Sequence, residues 1–188
     1  AATLTATSND SVFWFETATA TQEIASGPSY TTPLLYGIED YWLEARATIP
    51  PPIAQIGSAT LTQYYIPCYG FYDYGWSVSI YLASELNFSG EIDTISYYVG
   101  NSISNFTMLT QKVYMTHTTS STITNTNKPD PSSMEEVYVG DITWSGPGEF
   151  KIVLQNSFDY NGTDNLLLYW ENWDGDYVSG YPNFQYTS

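Results

Sequence analysis

Apolar residues in this chain fall at every second position or in short unbroken runs, and the stretches between them are built of Gly, Asn, Asp, Pro and Ser. A period of two sets one face of an extended strand against a core, and the punctuating residues supply turns. Thr and Tyr are abundant throughout, and a pleated, half-buried surface accommodates these side chains best. The pattern predicts strands over residues 3–7, 12–16, 29–35 and 40–47. Further on it predicts strands over 56–65, 76–82, 92–99, 107–116, 136–144, 149–154, 166–170 and 184–187. One helical turn fits at 84–88. The run Leu166–Trp170 lacks polar alternates, so it predicts a strand covered on both faces.

Pro50, Pro51 and Pro52 favour an extended connection without ladder donors. They divide the chain into residues 1–49, a linker at 50–55, and residues 56–188. The class is all-β, and the second part reads as a jelly-roll-like antiparallel β-sandwich. The first part, with its four strands, falls short of the roughly seven an immunoglobulin-type sandwich needs. It is therefore expected to pack on the second part or to lack a strand lying upstream of Ala1. An open edge there would accept a strand from another chain. Residues 118–131 are polar and read as a long surface loop.

Charge narrows the partners. Among 188 residues, 20 are acidic and 4 basic, a formal net charge of −16. Such a chain has little with which to neutralise phosphates, so nucleic acid and anionic membrane surfaces are excluded as partners. Divalent cations remain compatible. Hydrophobic content of 43% supports a true core. The single cysteine, Cys68, rules out an internal disulfide, and no basic neighbour in sequence activates it, so it reads as a buried structural thiol. No run is long enough to span a membrane, and any export signal is expected to have been removed or to lie outside this sequence.

The chemistry on offer is binding rather than reaction. His117 is the sole histidine, ends a predicted strand, and has no nucleophile elbow to serve. Carboxylate pairs such as Glu135 and Glu136 adjoin in sequence without a cleft signal, which leaves glycoside hydrolysis a distant reading. One Cys and one His cannot build the usual zinc site. Calcium is the better metal candidate: Glu171, Asp174 and Asp176 form one oxygen-rich loop, and Asp159 and Asp164 belong to another. Ordinary Asn-Gly and Asp-Gly turn chemistry accounts for the same residues. Tyr69, Tyr72, Tyr74 and Trp76, with Asp73 among them and Trp173 further on, offer rings for sugar faces and a carboxylate for hydroxyls. The competing reading is a rigid aromatic loop in a chain that is 17% aromatic throughout.

Two stretches carry a family resemblance. The first joins the TLTAT strand, the Val12–Phe15 aromatic strand, the step from Gly27 through Pro33, and Tyr41–Ala45. It resembles the immunoglobulin-like modules repeated in secreted and surface proteins of Bacteroidota. Tyr64–Leu86, Val113–Thr118 and Phe158–Gly180 resemble a β-sandwich module that follows such repeats. The resemblance implies a short immunoglobulin-like β-domain ahead of the sandwich, export, and membership of a larger adhesin-like surface protein. Asp10-Ser11-Val12 and Asp93-Thr94-Ile95 fit the short O-glycosylation pattern of exported Bacteroidota proteins, with Ser11 and Thr94 as acceptors. The preferred reading is a non-catalytic extracellular structural or adhesive module, a stalk or filament unit assembling by strand pairing. Its partners would be other domains or subunits of the same surface protein. The alternative is a carbohydrate-binding module with an aromatic sugar platform.

Overall fold

A computed structural model describes residues 1–47, 53–58, 60–124 and 129–187. Pro50, Pro51 and Pro52 of the expected linker lie outside the described residues. Strands occupy 53% of the chain and helix 4%, which makes the protein all-β. The chain forms two compact units, residues 1–52 and 53–188.

The first unit holds five short strands in two sheets. β1 (Thr3–Thr5) pairs antiparallel with β4 (Ser29–Thr31). β2 (Ser11–Phe15) lies between β3 (Ala25–Ser26) and β5 (Trp42–Arg46). Alternation cannot reveal β3, which is two residues long and is defined by its pairing with Phe13 and Trp14. β1, β4 and β5 are shorter than the sequence pattern suggests, and β2 keeps its length one residue earlier: 29–35 contracts to Ser29–Thr31, because Pro33 has no N–H to continue the ladder. Val12, Trp14 and Phe15 are buried, and the Trp14 indole N–H donates to the Gly27 carbonyl at 2.9 Å. All five residues of β5 are exposed.

The second unit is one strongly curled six-stranded sheet. Its strands are β6 (Leu61–Gln63), β7 (Gly75–Tyr81), β8 (Gly90–Thr118), β9 (Glu135–Tyr160), β10 (Asn165–Asn172) and β11 (Phe184–Tyr186). A four-residue helix, α1 (Ala83–Leu86), follows β7. The order is β6-β11-β8-β10-β7, with β9 on β8, and every pairing is antiparallel. The expected strands 92–99 and 107–116 are one strand, β8, and 136–144 and 149–154 are one strand, β9. Gly100, Asn101 and Asn105, like Gly146, Pro147 and Gly148, read as chain breaks. In the structure they are absorbed into two of the five register shifts that bend a continuous ladder. Such bulges let a strand pass from one layer of a sandwich to the other. Asn105 and Thr110 take left-handed conformations (φ 53° and 46°) within two of these shifts. The Thr110 N–H is held by Asp141 Oδ1 at 2.9 Å and the Leu109 N–H by Asp174 Oδ1 at 2.6 Å. A β-branched residue rarely adopts such a φ, and the two carboxylates fix it.

The Asn-Gly turn at Asn161 and Gly162 does not close a hairpin. β9 ends at Tyr160 opposite Gly90, at the start of β8, whereas β10 begins at Asn165 opposite Thr118, at its end. The turn between them hands the chain across to the far end of β8. β10 is a central strand between β8 and β7, and all of Leu166–Trp170 is buried. Side chains from β8, β9, β10 and β11 fill the main core, with Trp144, Trp170, Phe158 and Phe184 almost fully enclosed. Ala54, inside the expected linker, packs against this core. A smaller cluster of Tyr114, Leu167 and Tyr169 forms a second buried group with Val78, Ile80 and Met134.

β9 pairs with β8 alone among the described strands, so its other side is an edge. There Gln155 acts as a substitute strand: its Oε1 accepts from Val139 N–H at 3.0 Å and its Nε2 donates to Val139 O at 2.8 Å. Asn156 Nδ2 donates to Glu136 O at 3.1 Å.

Candidate ligand-binding groove

A groove of about 350 Å³ runs beside the first residues of β7. It falls within the size range of small-molecule sites. Its lining includes Tyr65, Tyr69, Tyr72, Tyr74 and Trp76, with the buried residues Cys68, Trp170 and Asn172. A second hollow of about 240 Å³ shares Tyr74, Gly75, Trp76 and Asn172 with it and adds Glu171 and Trp173. Four of the six expected ligand-contacting residues therefore line the first hollow, and Trp173 lines the second. The sixth, Asp73, lies between Tyr72 and Tyr74, and its Oδ1 is buried without a partner among the described residues.

The rings are held outward by packing. Tyr74, Trp76 and Trp173 are 63%, 51% and 49% exposed. Trp76 stacks on Tyr169 at 5.9 Å and 13°. Tyr74 meets Trp173 edge-on at 5.8 Å. Tyr69 is the hub of a further ring cluster that takes in Tyr64, Tyr65, Phe71, Tyr72 and Tyr181. Tyr177, against Phe71 and Tyr72, and Tyr181 join from the C-terminal segment, and nothing in their spacing signals it.

A buried amide pair fixes the loops that carry these rings. Asn172 Oδ1 accepts from Gln111 Nε2 at 2.5 Å and from Asp174 N–H at 3.1 Å. Asn172 Nδ2 donates to the carbonyls of Tyr72 at 3.0 Å and Tyr69 at 3.4 Å. Gln111 Oε1 accepts from Trp170 Nε1 at 2.9 Å. Both amides are buried, and the register of β10 on β8 sets them opposite one another. Gly175 N–H closes the second loop on Asp73 O at 2.8 Å.

The acidic residues fall into two places. Glu171 Oε2 accepts from Trp173 Nε1 at 3.0 Å, and its Oε1 accepts from Tyr169 OH at 3.4 Å. Burial, followed by the charges of Glu171 and Glu136, pushes the Tyr114 phenol up to about 12. Asp174 is raised above the usual carboxylate range by burial, opposed by its bond from Leu109 N–H and reinforced by Asp176, Asp141 and Asp73. Asp159 and Asp164 stand at the other end of β10. Asp159 is exposed on β9. Asp164 Oδ2 accepts from Asn161 Nδ2 at 2.7 Å within a turn that Asn161 Oδ1 closes on Thr163 and Asp164. Among the described residues, no three His, Cys, Asp or Glu side chains converge as a metal-binding group.

The Asp174 shift carries a sign. A carboxyl whose folded pKa is raised contributes stability that is present below its unfolded pKa and lost as pH rises through the folded value. Asp174→Asn removes that loss and keeps an oxygen for Leu109 N–H. Its melting temperature relative to wild type should therefore rise between about pH 3 and about pH 7. A difference that stays flat or falls over that interval would refute the assignment.

His117 is a structural residue: its Nε2 accepts from Asn161 N–H at 3.0 Å, and its ring packs on Phe158 and Tyr160. Cys68 is buried, and burial pushes its thiol well above the ordinary range. The acceptors Ser11 and Thr94 both lie on exposed strand positions. No helix among the described residues is long and apolar enough to cross a membrane. No protein-family model, no curated protein and no solved structure matches the chain.

Proposed function

We propose that this chain is a non-catalytic, exported module of a multidomain bacterial surface protein, and that it binds glycans in the aromatic groove. The observation that carries this reading is the set of half-exposed rings around Trp76, fixed from behind by Tyr169 and by the Asn172 amide. Sugars present flat C–H faces to such rings and hydroxyls to neighbouring acceptors, and fixed rings lose little freedom on binding. The sequence ranked adhesion ahead of sugar binding; the groove reverses that order and makes sugar contact the means of adhesion. The non-catalytic part is supported by His117, whose Nε2 accepts from a backbone N–H and whose ring packs on Phe158 and Tyr160.

A glycan array tests the proposal. At least one glycan should bind, and Trp76→Ala should weaken it about 30-fold, as expected for a central aromatic contact. Binding that survives the substitution at full strength would place the site elsewhere. Strand-pairing assembly has one observation in its favour, the exposed β5, which among the described strands pairs only with β2. A protein that sediments as a monomer over a wide concentration range would end that second reading.

A further inference from the structure

Gly75 and Gly37 stand apart from the other glycines, each of which either has a φ in the left-handed region or would set a Cβ too close to a neighbouring atom. Gly75 opens β7 and is exposed. Its backbone lies outside the left-handed region, and a Cβ there would meet nothing among the described residues within 4 Å. β7 pairs with β10 without a register shift, so no bulge calls for a glycine either. Glycine weakens a strand, through its conformational entropy and the side chain it does not pack. Where neither bulge nor bend requires it, a strand glycine marks a place where a ligand comes close to the backbone.

Gly75 lines both hollows. Alternation along β10 sends Trp170 into the main core and Tyr169 into the smaller cluster on the other face. Trp170 and Asn172 line the first hollow, whereas Glu171, which alternates to the face of Tyr169, lines the second with Trp173. The hollows therefore draw on opposite faces of the sheet and meet at the first residue of β7, where no side chain stands. Asn172, held by Gln111, is the residue paired with Gly75 and fixes this crossing.

Size gives the crossing a use. At about 350 Å³ the first hollow is near the lower end of the range for small-molecule sites, and at about 240 Å³ the second falls below it. A ligand that gains from both must be long, and narrow where it passes Gly75. A linear oligosaccharide has that shape, because its rings are joined through single glycosidic oxygens. Half-exposed Tyr72 offers a ring in the first hollow and half-exposed Trp173 another in the second.

We infer that the groove takes a linear oligosaccharide that crosses from one hollow to the other over Gly75, and that the missing side chain there sets a preference for longer chains over disaccharides. The inference rests on the glycan-binding reading above.

Calorimetric titration with the di-, tetra- and hexasaccharides of the cello-, laminari- and mannan-oligosaccharide series tests it, on the wild type, Gly75→Leu and Trp173→Ala. In at least one series the hexasaccharide should bind the wild type at least about tenfold more tightly than the disaccharide, because the second hollow is engaged by a ligand already held in the first. Gly75→Leu should hold its melting temperature, since the new side chain enters open space, and should bring the hexasaccharide to within about twofold of the disaccharide. Trp173 lines the second hollow and not the first, so Trp173→Ala should close the same gap and leave disaccharide affinity within about twofold of wild type. Disaccharides that bind the wild type as tightly as their hexasaccharides overturn the inference and leave the glycan reading standing. A gap unchanged in a folded Gly75→Leu, or in Trp173→Ala, overturns the crossing. Failure of every probe to bind overturns both readings.

Discussion

Replacing Asn172 with leucine should destabilise the second unit by about 3 kcal/mol, because several buried groups lose their partner at once. The side chains are similar in volume, so the cost is polar. The carbonyls of Tyr69 and Tyr72 and the Asp174 N–H are stranded, and Gln111 Nε2 keeps only Leu109 O at 2.8 Å. For a domain of this size the melting temperature should fall by about 10 °C. Asn172→Asp is the informative companion. It keeps the acceptor but turns a carboxylate toward two carbonyl oxygens, and should be no better tolerated than leucine. Sugar affinity should drop further than stability in both variants, since the loops carrying Tyr69, Tyr72 and Trp173 lose their anchor. A melting temperature within a degree or two of wild type for either variant would show that the amide pair does not brace the groove.

The second large effect lies in the core. Trp144→Ala should cost about 4 kcal/mol, a sizeable share of a typical domain's total stability. Trp144 is fully enclosed, and its ring contacts Phe150 at 4.6 Å, Phe184 at 4.9 Å and Trp170 at 6.3 Å. Three strands, β9, β10 and β11, therefore meet on one side chain. Its indole N–H is buried with no partner among the described residues, so its contribution is packing alone. Trp144→Phe should accordingly cost less than half as much as the alanine. Denaturant titration followed by far-UV circular dichroism decides the matter; equal losses for Phe and Ala would contradict a packing role.

Trp144 and Trp76 show how far the sequence could be read. Each follows a small or β-branched residue and precedes serine, yet one is the centre of a core and the other half exposed. Nothing local separates them, because the difference arises from what the curled sheet brings to each face. Leu166–Trp170 was legible for the opposite reason: an unbroken apolar run needs cover on both sides, and only a central strand supplies that. The lengths of β8 and β9 were not legible. Their glycines and asparagines break an isolated strand, and only the partner ladder shows that the chain passes through them as bulges. Close approach explains one of these residues: a Cβ on Gly146 would stand 2.5 Å from Val99 Cγ1 and 2.8 Å from Asn101 O. The aromatic residues of the groove were legible as a cluster in sequence. Their support was not, since Asn172 reaches back 100 and 103 residues to the carbonyls it holds, and Gln111 lies 61 residues before it.

The bracket that Gln155 and Asn156 place over the edge of β9 bears on how this protein behaves when crowded or stored. A chain rich in Thr and Tyr, folded around a long outermost strand, has the ingredients of cross-β growth, in which a bare ladder recruits the next molecule. At Glu136 and Val139 the docking sites are already taken by amides of the same strand. The side chains that close this edge are uncharged, so the closure is insensitive to the salt that would screen the chain's mutual repulsion. Colloidal protection from a charge of −16 fades in brine; this molecular stopper does not.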